Sequence, residues 1–225
     1  VLFRSACEYG GDKGIFGFGY FGSYVYSSTT NLVSNAGVVA SDQVATTGTA
    51  RAQLGGCGYG DDKGIFGFGY DGNTIDVTNL VSNTGVVSSD TAGVGTARYG
   101  VTACEYGEDK GIFGYGNDGS YGAITNLVSN TGVVASDQVA TTGTARGYLA
   151  ACGYGDDKGI FGYGTSGGVN VFSVSNLVSN TGVVSSDTAG VGTARESLAA
   201  TQYGDDKGIF GFGAGGGLKI SHLSK

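Results

Sequence analysis

Few residues in this chain have the types and spacing that chemistry requires. Adjacent carboxylates recur at Asp61-Asp62, Glu108-Asp109, Asp156-Asp157 and Asp205-Asp206, each followed by a lysine. Carboxylate oxygens are the ligands calcium prefers, which makes Asp61, Asp62, Asp156 and Asp157 the best metal candidates. Their spacing lacks the Asp-x-Asp-x-Asp-Gly order of a calcium loop, and a carboxylate beside Gly at a hairpin tip is more simply a turn former. Four arginines, Arg51, Arg98, Arg146 and Arg195, each close a Gly-Thr-Ala-Arg string. They could line an anion site. The favoured reading is that each ties one repeat to the next by bonding backbone carbonyls and an Asp such as Asp187, because a buried cation must be satisfied.

Other patterns fall short of a site. The Gly-Phe-Gly-Tyr strings mimic a phosphate loop, but no Lys-Ser/Thr and no helix pattern follows. His222 is the single histidine and belongs to no repeated constellation. No Gly-x-Ser-x-Gly elbow occurs. The cysteines, Cys7, Cys57, Cys104 and Cys152, occupy equivalent places without Cys-x-x-Cys pairing, so they are expected to be small buried residues rather than metal ligands or disulfides. An enzyme is therefore not expected, and neither is a cofactor or a metal.

The elements that position these residues are set by a repeat. Gly-Ile-Phe-Gly-(Phe/Tyr)-Gly starts at Gly14, Gly64, Gly111, Gly159 and Gly208, at spacings of 50, 47, 48 and 49. Asn-Leu-Val-Ser-Asn starts at Asn31, Asn79, Asn126 and Asn176. These strings divide a single repeat domain into units of about 6–51, 52–98, 99–146, 147–195 and a partial 196–225. In the fourth unit, strands are predicted over 149–154, 159–164, 171–179 and 183–186, with turns at 155–158 and 180–182. No helical period is sustained. Side chains alternate along a strand, which predicts Phe161 and Tyr163 on one face and Ile160, Gly162 and Gly164 on the other. The aromatics of one sheet would then seat on the glycine face of its neighbour, making Phe16, Phe66, Phe113, Phe161 and Phe210 the structural residues.

Arg146, the small strand Ala150-Ala151, Ile160-Phe161 and Gly162-Tyr163-Gly164 follow the order of a kelch repeat, and the chain resembles that family over nearly its whole length. It is also similar to uncharacterised repeat proteins inferred from environmental and phage sequence. The departures are an aromatic between the paired glycines, no fourth-strand Trp, and no Pro before the Arg. The resemblance implies an all-β propeller of four-stranded antiparallel blades, about five of them with the last incomplete, and implies no single activity.

Two unit subtypes alternate: Cys-Glu-Tyr in the first and third, Cys-Gly-Tyr in the second and fourth. Residues 1–5 fall out of register with the repeat. Of these, Val1 to Phe3 are expected to supply the missing strand of blade five and close a ring. The alternative is an open edge that pairs with a neighbouring chain and gives an oligomer or filament.

The constant scaffold carries variable loops after the second strand. Tyr20, Tyr24, Tyr26, Tyr70, Asp71, Asn73, Asn117, Asp118 and Tyr121 lie there. Tyr with Asp and Asn suits stacking on, and hydrogen bonding to, a sugar.

Composition limits the classes. Gly is 46 of 225 residues, yet 14 Tyr and 11 Phe accompany it, so the chain has enough to bury and is not disordered. A net charge of −7 with dispersed basic residues excludes a broad nucleic-acid footprint. No apolar run reaches the length of a membrane helix. The expectation is a non-enzymatic structural or interaction module, extracellular or at a virion or cell surface, contacting glycan or protein through its rim loops. A self-assembling subunit is second and a propeller enzyme last.

Overall fold

A computed structural model describes residues 5–22, 25–43, 48–138, 143–167, 169–204 and 206–215. Every regular element among them is a β-strand, and no helix there is long and apolar enough to cross a membrane. The first repeat holds β1 (Ser5–Tyr9), β2 (Lys13–Gly17), the short pair β3 (Tyr20–Phe21) and β4 (Val25–Tyr26), and β5 (Thr30–Val33). The second holds β6 (Gly55–Tyr59), β7 (Lys63–Tyr70) and β8 (Thr74–Val81). The third holds β9 (Thr102–Tyr106), β10 (Lys110–Asn117) and β11 (Tyr121–Val128). The fourth holds β12 (Ala150–Tyr154), β13 (Lys158–Gly162) and β14 (Ser175–Val178). Then come β15 (Arg195–Glu196), β16 (Ala199–Tyr203), β17 (Lys207–Gly211) and β18 (Ala214–Gly215).

Each full repeat is an antiparallel sheet with its second strand in the middle, in the orders β1-β2-β5, β6-β7-β8, β9-β10-β11 and β12-β13-β14. The first hairpin keeps one register throughout: Cys7 faces Ile15, Cys57 faces Ile65, Cys104 faces Ile112 and Cys152 faces Ile160. Its turn needs two successive residues in the left-handed region, such as Gly60 at φ 59° and Asp61 at φ 66°. Gly adopts this freely and Asp tolerates it, which accounts for Tyr-Gly-(Gly/Asp/Glu).

The expected fourth strand is reduced to isolated bridges, Val33 to Val39, Val81 to Val87, Val128 to Val134 and Val178 to Val184, with a second bridge at Thr30–Gln43, Thr78–Thr91 and Ser175–Thr188. The sheets of the four full repeats are thus three-stranded ladders with a fourth segment bridged at their edge. Side chains add to the backbone bonds that remain: Ser88 N–H donates to the Leu80 carbonyl, while Asn79 Nδ2 donates to the Ser88 carbonyl and to Asp90 Oδ1. The third strand of the last repeat and residues 1–3, invoked for ring closure, lie outside the described residues.

Sheets pack in chain order, the first strands of neighbours lying side by side. Residues of all five first strands, from Ala6 and Cys7 to Ala200 and Thr201, line one common cavity of about 250 Å3. The seating of aromatics on glycine is present at each junction. A Cβ built on Gly17, Gly67, Gly114 or Gly162 would stand 3.1, 2.8, 2.7 or 2.9 Å from the ring of Phe66, Phe113, Phe161 or Phe210 respectively. Phe66, Phe113 and Phe161 are fully buried, each contributing roughly 1.5–3 kcal/mol. Phe16 is 40% exposed, against expectation: among the described residues no other sheet covers its ring.

The predicted facing of the second aromatic is also corrected. Phe18, Phe68, Tyr115 and Tyr163 have φ of 62–65°, followed by a glycine also at positive φ. This turns them onto the isoleucine face: Phe68 packs with Ile65, and Tyr115 with Ile112. There each meets the next sheet's Phe edge-on, at 5.3 Å for Phe18–Phe66, Phe68–Phe113 and Tyr115–Phe161. Strict alternation fails because the Gly-aromatic-Gly segment is a bulge, seen as a register shift between Gly67 and Gly69.

Candidate binding site

The arginines hold the scaffold together. Arg51, Arg98 and Arg146 are buried almost completely. Each lies over the second aromatic of its own repeat, Arg98 at 4.2 Å from the Phe68 ring and Arg146 at 4.6 Å from Tyr115. Each then donates from Nε to the equivalent carbonyl of the next repeat, Arg51 to Phe68, Arg98 to Tyr115 and Arg146 to Tyr163. The Thr of the same string binds an Asp of the next repeat: Thr96 gives its N–H and hydroxyl to Asp137, which stands 3.9 Å from Arg98. Burial pulls Arg51 and Arg98 down to about 10, so both remain cationic at neutral pH. Burial opposes the charge of Asp137, yet bonds from Thr96 and Asn126 and the nearby Arg98 keep it below the usual carboxylate range. Arg195 lies over Tyr163 at 4.6 Å in the same way.

The carboxylate pairs are engaged locally. Asp62 and Asp157 pair with Lys63 at 2.6 Å and Lys158 at 2.8 Å, and accept from Asn83 and Asn180. Asp61 and Asp156 occupy the left-handed turn position. Among the described residues no group of His, Cys, Asp and Glu is arranged to hold a metal ion. The four cysteines are free and buried, and burial pushes their thiols up.

The rim residues divide. Tyr20, Tyr26 and Tyr70 come together with Tyr99, Tyr148, Ala52 and Gln53 around a cavity of about 240 Å3. The rings form one edge-to-face row across four repeats: Tyr20–Tyr26 at 6.5 Å, Tyr26–Tyr70 at 6.2 Å, Tyr70–Tyr99 at 5.4 Å and Tyr99–Tyr148 at 6.3 Å. Tyr121 is not in that row; it packs on Gly147 and Gly167 of the fourth repeat. Asp71 and Asp118 accept the N–H of Asn73 and Ser120, and Asn117 that of Gly119, so these polar side chains shape their own loops. Tyr24 lies outside the described residues.

Sequence reasoning missed Tyr99, Tyr148 and Gln53, which stand one or two positions after an Arg. There the backbone is chained from repeat to repeat: Gly100 N–H bonds Gln53 O, Tyr148 N–H bonds Gly100 O, and Ser197 N–H bonds Tyr148 O. Gln53 and Tyr148 sit at φ 59° and 54°. The signal was present, because Ala52-Gln53, Tyr99-Gly100, Gly147-Tyr148 and Glu196-Ser197 differ at every repeat while the flanking Arg is constant. Burial and the neighbouring tyrosines push the Tyr148 phenol up, leaving it a neutral hydrogen-bonding group.

At the far end of the first strands lies a third cavity, of about 170 Å3, lined by Glu8, Tyr59, Asp61, Lys63, Glu105 and Glu108 among others. Burial, then Glu8, pushes Glu105 to about 7, although its carboxylate accepts the Gly58 N–H.

Neither a protein-family model nor a curated protein sequence matches the chain.

Proposed function

We propose that this chain is a non-enzymatic binding module, kelch-like in its repeat, with sheets set radially as in a β-propeller, and that its tyrosine-lined cavity takes a carbohydrate. The observation that carries this reading is the convergence of five tyrosines from four repeats on one concavity. A sugar offers apolar C–H faces that stack on aromatic rings and hydroxyls that pair with phenols and an amide such as Gln53. The neutral state of Tyr148 suits hydrogen bonding rather than proton abstraction. The radial arrangement draws support from the common cavity bordered by all five first strands.

The test is a glycan-array screen followed by titration calorimetry. Tyr70→Ala and Tyr99→Ala are each expected to weaken binding about five- to tenfold, whereas Tyr203→Ala, remote from the cavity, leaves it unchanged. No retained glycan, or equal affinity in all three variants, ends this reading.

A further inference from the structure

One-electron oxidation of this chain has few places to start other than its phenols. Trp and Met are both absent from the sequence. The four cysteines are free but buried, so their thiols are shielded from a dissolved oxidant. Tyrosine is the oxidisable side chain left within reach, and five phenols are gathered in the row that borders the binding cavity. Tyr70, Tyr99 and Tyr148 are each half-buried, open enough to meet a small oxidant. The shortest step in that row is Tyr70–Tyr99, with ring centroids 5.4 Å apart and planes at 63°. Both backbones are pinned. Tyr70 exchanges N–H···O bonds with Ala52 at 2.9 and 3.0 Å, and Tyr99 does so with Asn117 at 3.0 and 2.8 Å. Only side-chain torsions remain free, so the two rings are held at each other's edges in advance of any reaction. Burial makes the phenol proton of Tyr148, the ring beyond Tyr99, harder to lose.

We propose that Tyr70 and Tyr99 form an oxidative modification site, where a one-electron oxidant derived from a peroxide joins the two rings as an intramolecular dityrosine. Each phenol loses one electron to the oxidant and its hydroxyl proton to water, leaving two phenoxyl radicals. The radicals form one carbon–carbon bond between positions ortho to their oxygens. The hydrogens on those two carbons then move as protons to the oxygens and restore both hydroxyls. The two electrons reduce peroxodisulfate to two sulfates, or hydrogen peroxide to two waters. The rest of the row collects oxidation for this pair: a radical formed first on Tyr26 or Tyr148 lies 6.2 Å from Tyr70 or 6.3 Å from Tyr99. The new bond ties the second sheet to the third, because Tyr70 ends β7 and Tyr99 bridges Asn117 at the end of β10. The site stands on ring geometry and does not depend on a sugar being the ligand.

The experiment irradiates the full chain with tris(bipyridyl)ruthenium(II) and peroxodisulfate, under conditions that couple free tyrosine. Dityrosine fluorescence is then read in the monomer fraction separated in denaturant. The unchanged chain is expected to give a fluorescent monomer lighter by two hydrogens, in a yield independent of protein concentration. Fragment mass spectra of its digest are expected to join Tyr70 to Tyr99. Tyr70→Phe and Tyr99→Phe keep the ring contact and remove one phenol, and each is expected to lower that fluorescence at least about fivefold. Tyr203→Phe, outside the row, leaves it unchanged, and oxidation of the urea-unfolded chain loses it. Circular dichroism verifies that each variant is folded. A monomer without dityrosine, a major product that joins another pair, or Phe variants that couple as well as the parent would each overturn the proposal.

Discussion

Raising the pH from 5 to 8 should destabilise this protein, and Glu105 is the reason. Its carboxylate lies over the backbone of Gly58, where a Cβ would be 1.8 Å from Oε1. Burial and the charge of Glu8 raise it from 4.5 to about 7. Between these values the folded state holds a proton that the unfolded chain has released. The stabilisation is therefore complete below about 4.5 and is lost as pH rises through 7. The full displacement corresponds to about 3 kcal/mol, and rearrangement of the carboxylate toward the cavity reduces it to about 1–2 kcal/mol. Asp90, Asp137 and Asp187 act in the opposite sense, but only toward lower pH, because their carboxyls are held below the ordinary range. Denaturant midpoints followed by far-ultraviolet circular dichroism at pH 5, 6, 7 and 8 measure the slope, and Glu105→Gln should flatten it. A parent protein of constant stability across this window, or a Gln variant with the same slope, refutes the reasoning.

Three further outcomes follow from the junctions. Gly58→Ala should displace the Glu105 side chain toward solvent at little cost in stability, and should abolish the same pH slope in the same titration. Gly114→Ala brings a Cβ to 2.7 Å from Phe161, which is fully buried; urea unfolding should show a loss of about 1–3 kcal/mol, while Gly211→Ala is neutral. Asp137→Ala leaves the buried Arg98 without its carboxylate and unpairs Thr96; thermal and urea melts should report a loss of about 3 kcal/mol.

The alternation of repeat subtypes also acquires a physical cause. Glu105 of the third repeat occupies the space that a side chain at 58 would need, and Gln202 of the fifth does the same at Gly153, where a Cβ would be 2.5 Å from its Oε1. A long polar residue at this position therefore requires glycine in the repeat before it.

The all-β character, the first hairpin turn of each repeat and the seating of aromatics on glycine were legible in the sequence. Each is written locally, as a period, a turn residue or an alternation. The role favoured for Arg98 and Arg146 could be read in the same way, since a recurrent cation in an apolar setting needs carbonyls and a carboxylate. What only the tertiary structure decided depends on contacts between residues far apart in the chain. Phe68 and Tyr115 change faces because two successive left-handed residues break the strand alternation, which no period of two anticipates. Tyr99 and Tyr148 join Tyr26 and Tyr70 because four separate repeats converge at one end of the stack. The burial of Phe66, Phe113 and Phe161 likewise depends on the glycine of the preceding sheet, and that is settled when the sheets assemble rather than within any one repeat.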